Sequence, residues 1–139
     1  MKFKGKVSPW FYAIIIGVAA LLAPIIIVSA FVDPDIAAFT ISLLVFIAVE
    51  LLCIPIAIHN FVALQSETLL IVFGLIKKRI PYGDIAALSK TSDPSSSLAA
   101  SFDRIEIKRR SKSNIMIAVV EQERFLNEIK KGHPSIAVL

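Results

Sequence analysis

The sequence predicts a membrane α-helical hairpin joined to a small α+β domain, an antiparallel sheet of about five strands capped by a C-terminal helix. Three observations carry this. Almost everything from Trp10 to Ile58 is apolar, whereas nearly all Lys and Arg lie outside that stretch. An Asp33-Pro34-Asp35 turn divides the apolar stretch into two long runs. From His59 onward, short apolar runs broken by turn residues replace it. The chain of 139 residues therefore has two unlike halves, and the second is long enough for one modest core.

The two runs, 10–32 and 36–58, are each about 23 residues. At roughly 1.5 Å per residue, each spans about 34 Å as a helix. That exceeds a hydrocarbon core of roughly 30 Å. Neither run has the polar stripe of a surface helix. Helices joined by so short a turn run antiparallel. Lys2, Lys4 and Lys6 precede the first, while the turn has two aspartates and no cation. The positive-inside tendency then places both termini in the cytoplasm of a multi-pass cell-membrane protein. Trp10, Phe11 and Tyr12 fall at the inner headgroup level. A rival reading takes the basic N-terminus and Val28-Ser29-Ala30 as a cleaved secretory signal, but the run is about twice the length of a signal core and contains Pro24.

Within the hairpin, Ala13, Gly17 and Ala20 share one face, and Ala38 and Ser42 another. Such small residues suit close helix packing. The hairpin packing on itself is the default, and a homo-oligomer is compatible. Pro24 and Pro55 each remove a helical hydrogen bond. Glu50, the only charged residue in either run, lies roughly three residues past its helix centre, where ionisation is costly. It reads either as an intramembrane polar site or as a carboxyl packed in the hairpin. Cys53 is the sole cysteine and reads as a small hydrophobe.

In the second half, Phe61–Leu64 and Leu69–Phe73 read as strands, the latter ending at Gly74. Ile80–Asp84 is a turn, punctuated by Pro81 and Gly83, and Ile85–Leu88 resumes an extended pattern. A Ser-rich loop runs from Thr91 to Ser97. Arg104–Lys108 alternates with a period of two, as a half-buried strand requires, and Ile115–Val120 is its antiparallel partner. Phe125, Leu126 and Ile129 fall at helical spacing in Glu121–Lys131, with acids early and lysines late. Gly132 and Pro134 end that helix. The expected organisation is a basic N-terminus at 1–9, a hairpin at 10–58, a domain at 59–132 and a tail at 133–139.

Several stretches resemble the short bacterial PH-like (pleckstrin-homology-like) domains of the YyaB-like kind. Leu69 to Gly74 is similar to an early strand ending at glycine, and Arg79 to Ile85 to an "I-P-Y-x-D-I" segment. Ser95 to Ile107 resembles a serine-rich loop followed by "S-x-D-R-(I/L)-x-I". Val120 to Ile129 resembles a closing "F-x-x-x-(I/L)" helix, although Val119-Val120 stands where the family often has Ser-Pro. The resemblance covers approximately Phe61 to Lys131. It implies a PH-like partial barrel capped by a helix, often preceded by two membrane helices, with no established reaction and no catalytic residues.

Motifs for chemistry are lacking. His59 and His133 flank the domain without a partner at metal-ligand spacing, so neither a metal site nor another cofactor is expected. Ser95, Ser96 and Ser97 form no nucleophile elbow. Asp84, Asp103 and Arg104 read as structural: Asp84 closing a turn, and Asp103-Arg104 pairing at a strand edge to hold the Ser-rich loop. Two basic clusters remain, both assigned to turns: Lys77, Lys78 and Arg79, then Lys108, Arg109, Arg110 and Lys112. They are candidates for anionic lipid or a partner, with a merely solvated surface as the alternative. Nucleic acid is not expected, because no aromatic platform accompanies them. The sequence thus points to a membrane-anchored, non-enzymatic PH-like binding module whose ligand is a protein, a peptide or an anionic headgroup. The alternative is a membrane-acting accessory protein, such as a transporter subunit or a resistance or immunity factor, that uses Glu50.

Overall fold

The computed structural model describes residues 1–93 and 100–139. The expected serine loop at Ser95, Ser96 and Ser97 lies outside the described residues.

Strand β1 (Lys2–Lys4) leads into helix α1 (Pro9–Ile27), which widens over Val28–Val32 into a π-type turn, with Asp33 N–H bonded to Val28 O at 2.9 Å. Helix α2 (Ile36–Ile58) starts at Asp35, whose Oδ1 accepts from Ala37 N at 3.0 Å and Ala38 N at 3.1 Å, satisfying two of the free N–H groups of the first turn. Both helices are long and apolar enough to cross a membrane. Their contact face on α1 is a helical stripe of half-buried Phe11, Ile15, Val18, Leu22 and Ile26, ending at buried Ser29. Ala13, Gly17 and Ala20 are exposed on the other side, so the larger side chains fill the seam. On α2, Ala38 and Ser42 do face the seam, and so does Glu50. The Ser29 and Ser42 hydroxyls donate to carbonyls one turn back, Ile25 O and Ala38 O, each at 2.7 Å.

His59 alone separates α2 from β2 (Asn60–Leu64), which pairs antiparallel with β1. β3 (Thr68–Phe73) and β4 (Ile76–Pro81) complete an antiparallel sheet in the order β1-β2-β3-β4. After a single 3-10 turn at Tyr82–Asp84 come β5 (Ile85–Thr91), β6 (Arg104–Arg109) and β7 (Ile115–Ile117). With β8 (Ala137–Val138), which runs parallel to β5, they form a second sheet in the order β7-β6-β5-β8. Helix α3 (Gln122–Gly132) lies between β7 and β8 in the chain and buries Phe125, Leu126 and Ile129, each worth roughly 1.5–3 kcal/mol by burial. The core they join is formed by the inner faces of both sheets, including Val62, Leu69, Ile71, Ile80, Leu88, Ile105 and Ile107.

The expected α+β architecture is present, but its ends differ from the expected division. The basic N-terminus at 1–9, expected to lie apart from the domain at 59–132, contributes a strand to its sheet. Lys2, Phe3 and Lys4 pair with Ala63, Val62 and Phe61, and Phe3 is 2% exposed, edge-on to Phe125 with centroids 5.4 Å apart. The next residues stitch the two sheets together: Gly5 N donates to Asn60 O (2.8 Å), Lys6 N to Ala118 O (2.9 Å) and Ser8 N to Ala100 O (3.0 Å). The helical hairpin is thus an insertion between two adjacent strands of one sheet. Likewise, residues 133–139 carry β8, buried Ile136, and His133 stacked on Tyr82 at 3.7 Å. A further difference concerns Lys77, Lys78 and Arg79, which lie in strand β4 rather than in a turn.

Candidate functional site

β4 is an edge strand of the first sheet and β7 an edge strand of the second. The β6–β7 turn reaches across toward β4, and the two elements enclose a cleft of about 570 Å³ lined by Lys77, Lys78, Arg79, Arg109, Lys112 and Asn114, among others. Basic clusters some thirty residues apart in sequence therefore meet in one place. Lys108 and Arg110 do not line it; Lys108 lies 4.0 Å from Glu106 instead. Among the described residues, Lys77, Lys78, Arg79 and Lys112 have no carboxylate within ion-pair distance.

Asp84 holds the wall of this cleft. Its Oδ2 accepts from Arg109 Nε at 2.8 Å and Nη2 at 2.5 Å. Its Oδ1 accepts from Ser111 Oγ at 2.6 Å and Ser111 N at 3.1 Å, and its backbone carbonyl accepts from Arg110 N at 2.8 Å. The carboxylate thus closes the β6–β7 turn, as expected of a turn-closing residue, and fixes Arg109 at the cleft rim. Asp103 and Arg104 behave differently from the expected ion pair. Asp103 accepts from Lys6 at 2.6 Å and Gln122 at 3.0 Å, tying the N-terminal segment to α3. Arg104, 5% exposed, donates to Ser101 O at 2.5 Å and Asp93 O at 2.9 Å, so it clamps backbone on both sides of residues 94–99.

Hydrogen bonds from Ser111 and Arg109 hold the Asp84 carboxyl below its ordinary range, and Lys6 does the same for Asp103. A depressed carboxyl binds fewer protons folded than unfolded. Its stabilisation is therefore complete above the unfolded aspartate value of about 3.9 and is lost as pH falls through the folded value below it. Asp103 is 57% exposed and solvent screens its pair, so Asp84 should dominate. We expect thermal melts between pH 5 and pH 2 (roughly spanning that window) to show an acid limb that Asp84→Asn flattens more than Asp103→Asn does. Equal limbs in both variants would contradict this assignment.

Glu50 stands apart from the cleft. It is 9% exposed on the seam of the hairpin, and its Oε1 has no hydrogen-bond partner among the described residues. Sequence reasoning missed a second cationic groove, of about 350 Å³, where α2 ends. Lys2, Lys4, Ile58, Asn60 and Phe61 line it, and the Lys2 ammonium lies 3.7 Å from the Phe61 ring centroid. The signal was present in Lys2-Phe3-Lys4-Gly5-Lys6-Val7, which alternates polar and apolar like a strand.

A family model described as "Bacterial PH domain" matches residues 61–133, just over half of the chain. No curated protein and no solved structure shows a significant match.

Proposed function

The chain belongs to the bacterial PH domain family, and from that premise we propose that it is a membrane-anchored binding module whose cationic cleft takes the headgroups of anionic lipids. The family is one of binding modules rather than catalysts. The two apolar helices act as the anchor, and the positive-inside tendency of Lys2, Lys4 and Lys6 puts the domain on the cytoplasmic face.

The observation that carries the reading is the convergence of Lys77, Lys78, Arg79 and Lys112 on one cleft without a neutralising carboxylate. At about 1 kcal/mol per basic side chain near an anionic leaflet, four such cations supply about 4 kcal/mol, close to a thousandfold in affinity. Peptide addition to the edge of β4 is disfavoured. Three consecutive cations and Pro81 occupy that edge, the usual devices that keep an edge strand from recruiting another.

The test uses the full chain in zwitterionic micelles, titrated with short-chain phosphatidylglycerol, short-chain phosphatidylcholine and a polyglutamate peptide. Phosphatidylglycerol should raise the melting temperature, phosphatidylcholine should not, and added salt should weaken the effect. Lys78→Glu with Arg79→Glu should lower the apparent affinity by roughly a hundredfold or more. A response to polyglutamate alone would replace the lipid by an acidic protein partner, and an unchanged affinity in the double variant would remove the cleft from binding.

A second reading, the accessory membrane protein acting through Glu50, is favoured by that carboxyl's burial with one oxygen unpartnered. Glu50→Gln leaves lipid binding unchanged under the first reading and abolishes the cellular activity under the second.

A further inference from the structure

The β3–β4 connection is a two-residue turn, since Phe73 pairs with Ile76. Gly74 has φ +60° and Leu75 does not have positive φ, the pattern of a type II′ turn with glycine at its first central position. The turn lies alongside the last turn of α2. Gly74 N donates to His59 O at 2.7 Å, and a Cβ on Gly74 would sit 2.8 Å from Ile56 Cγ1. The tip thus overlaps the apolar helix in height. It carries Leu75, 68% exposed, and Ile76, 53% exposed.

We infer that this tip is a second membrane anchor, with Leu75 and Ile76 seated in the interfacial layer of the leaflet from which α2 emerges. The inference rests on the bilayer reading of the hairpin. Two observations commit the occupant to lipid. First, the apolar tip is continuous with the surface of α2 that would face acyl chains. Second, Lys77 and Lys78 follow at once along β4, roughly 3 and 7 Å further from the tip at strand spacing. That matches a headgroup layer of about 5–8 Å on each side of the hydrocarbon. On the other helix, Trp10 and Phe102, with rings 5.6 Å apart and both partly exposed, make a matching aromatic contact at the start of α1. Anchored at both points, the domain holds a fixed tilt, and the cationic cleft that begins at Lys77 opens onto the headgroups.

The test places a single tryptophan in a Trp10→Phe background of the full chain, reconstituted in nanodiscs with phosphatidylcholine brominated either high on the acyl chains or near their ends. Leu75→Trp, and independently Ile76→Trp, should lose most of their fluorescence to the shallow bromines and little to the deep ones. Glu67→Trp, in the turn just before β3 and at the opposite end of that strand from the tip, should be unquenched, and Ile47→Trp, near the middle of α2, should respond to the deep label. Tip tryptophans behaving like the one at position 67, while position 47 is quenched, overturn the second anchor alone. An unquenched position 47 overturns the bilayer reading and the anchor with it.

Discussion

Phe3→Ala should cost about 3–5 kcal/mol, the range for truncating a buried aromatic ring. The ring is 2% exposed, lies edge-on to Phe125 of the capping helix, and belongs to the strand that closes the first sheet. Because small domains have only about 5–15 kcal/mol in total, the loss should be visible as a markedly lower urea midpoint for the full chain in detergent. Two further chains sharpen the expectation. One beginning at Asn60 lacks β1, exposes β2 as an apolar edge, and is expected to aggregate. The other keeps residues 1–8, joined by a short Gly/Ser linker to residues 60–139. Ser8 is three residues beyond Gly5, which is bonded to Asn60, so a linker needs to span only about 10 Å. This second chain should fold and resist protease. If the chain starting at Asn60 folds as well as it does, β1 is dispensable. The same dependence means that a cut after Ala30 would separate β1 from its pairing partner β2.

The second large effect is expected at Gly74. A β-branched residue at φ +60° is a genuine backbone outlier, and left-handed conformation alone costs roughly 1–2 kcal/mol for a residue with a Cβ. Here the Cβ would also press within 2.8 Å of Ile56 Cγ1, forcing that side chain to shift, and within 3.1 Å of the Ile56 backbone nitrogen, which cannot move without bending α2. Gly74→Val should thus destabilise by about 2–4 kcal/mol, with Gly74→Ala somewhat milder. Gly83→Ala, where a Cβ meets open space, serves as the control and should be nearly neutral. Equal melting temperatures for the valine variant and the control would show that the turn does not bear on the helix.

The parts of this molecule that could be read directly are those where one pattern dominates. α2, β3, β6 and α3 lie within a residue or two of their expected bounds, because each keeps its own periodicity. The elements that escaped reading are those decided by tertiary pairing. β4 carries Lys77, Lys78 and Arg79 in a row, which hides any alternation; as an edge strand it needs to turn inward chiefly Ile80, which is fully buried. β8 has two residues and exists only because β5 offers them a ladder. β1 does alternate, yet lysines before an apolar helix are as readily explained by membrane topology. The candidate site was legible as two basic clusters and illegible as a cleft, since only the packing of the β6–β7 turn against β4 joins them. Glu50 was visible from the start as an anomaly, but its inward rotation depends on which stripe of α1 meets α2.

The insertion of the hairpin between β1 and β2 sets the order in which the chain can mature on the ribosome. β1 is synthesised first, yet its pairing partner emerges only after some fifty further residues. For a flexible chain, closing such a loop is an entropic obstacle and slows folding. Here the two helices, once laid antiparallel, return the chain to within a few ångströms of where it left, so the long separation becomes a short one. Completion of the sheet thereby depends on the hairpin: a chain whose two helices have not closed on each other leaves β2 with a bare edge and Phe3 without its pocket.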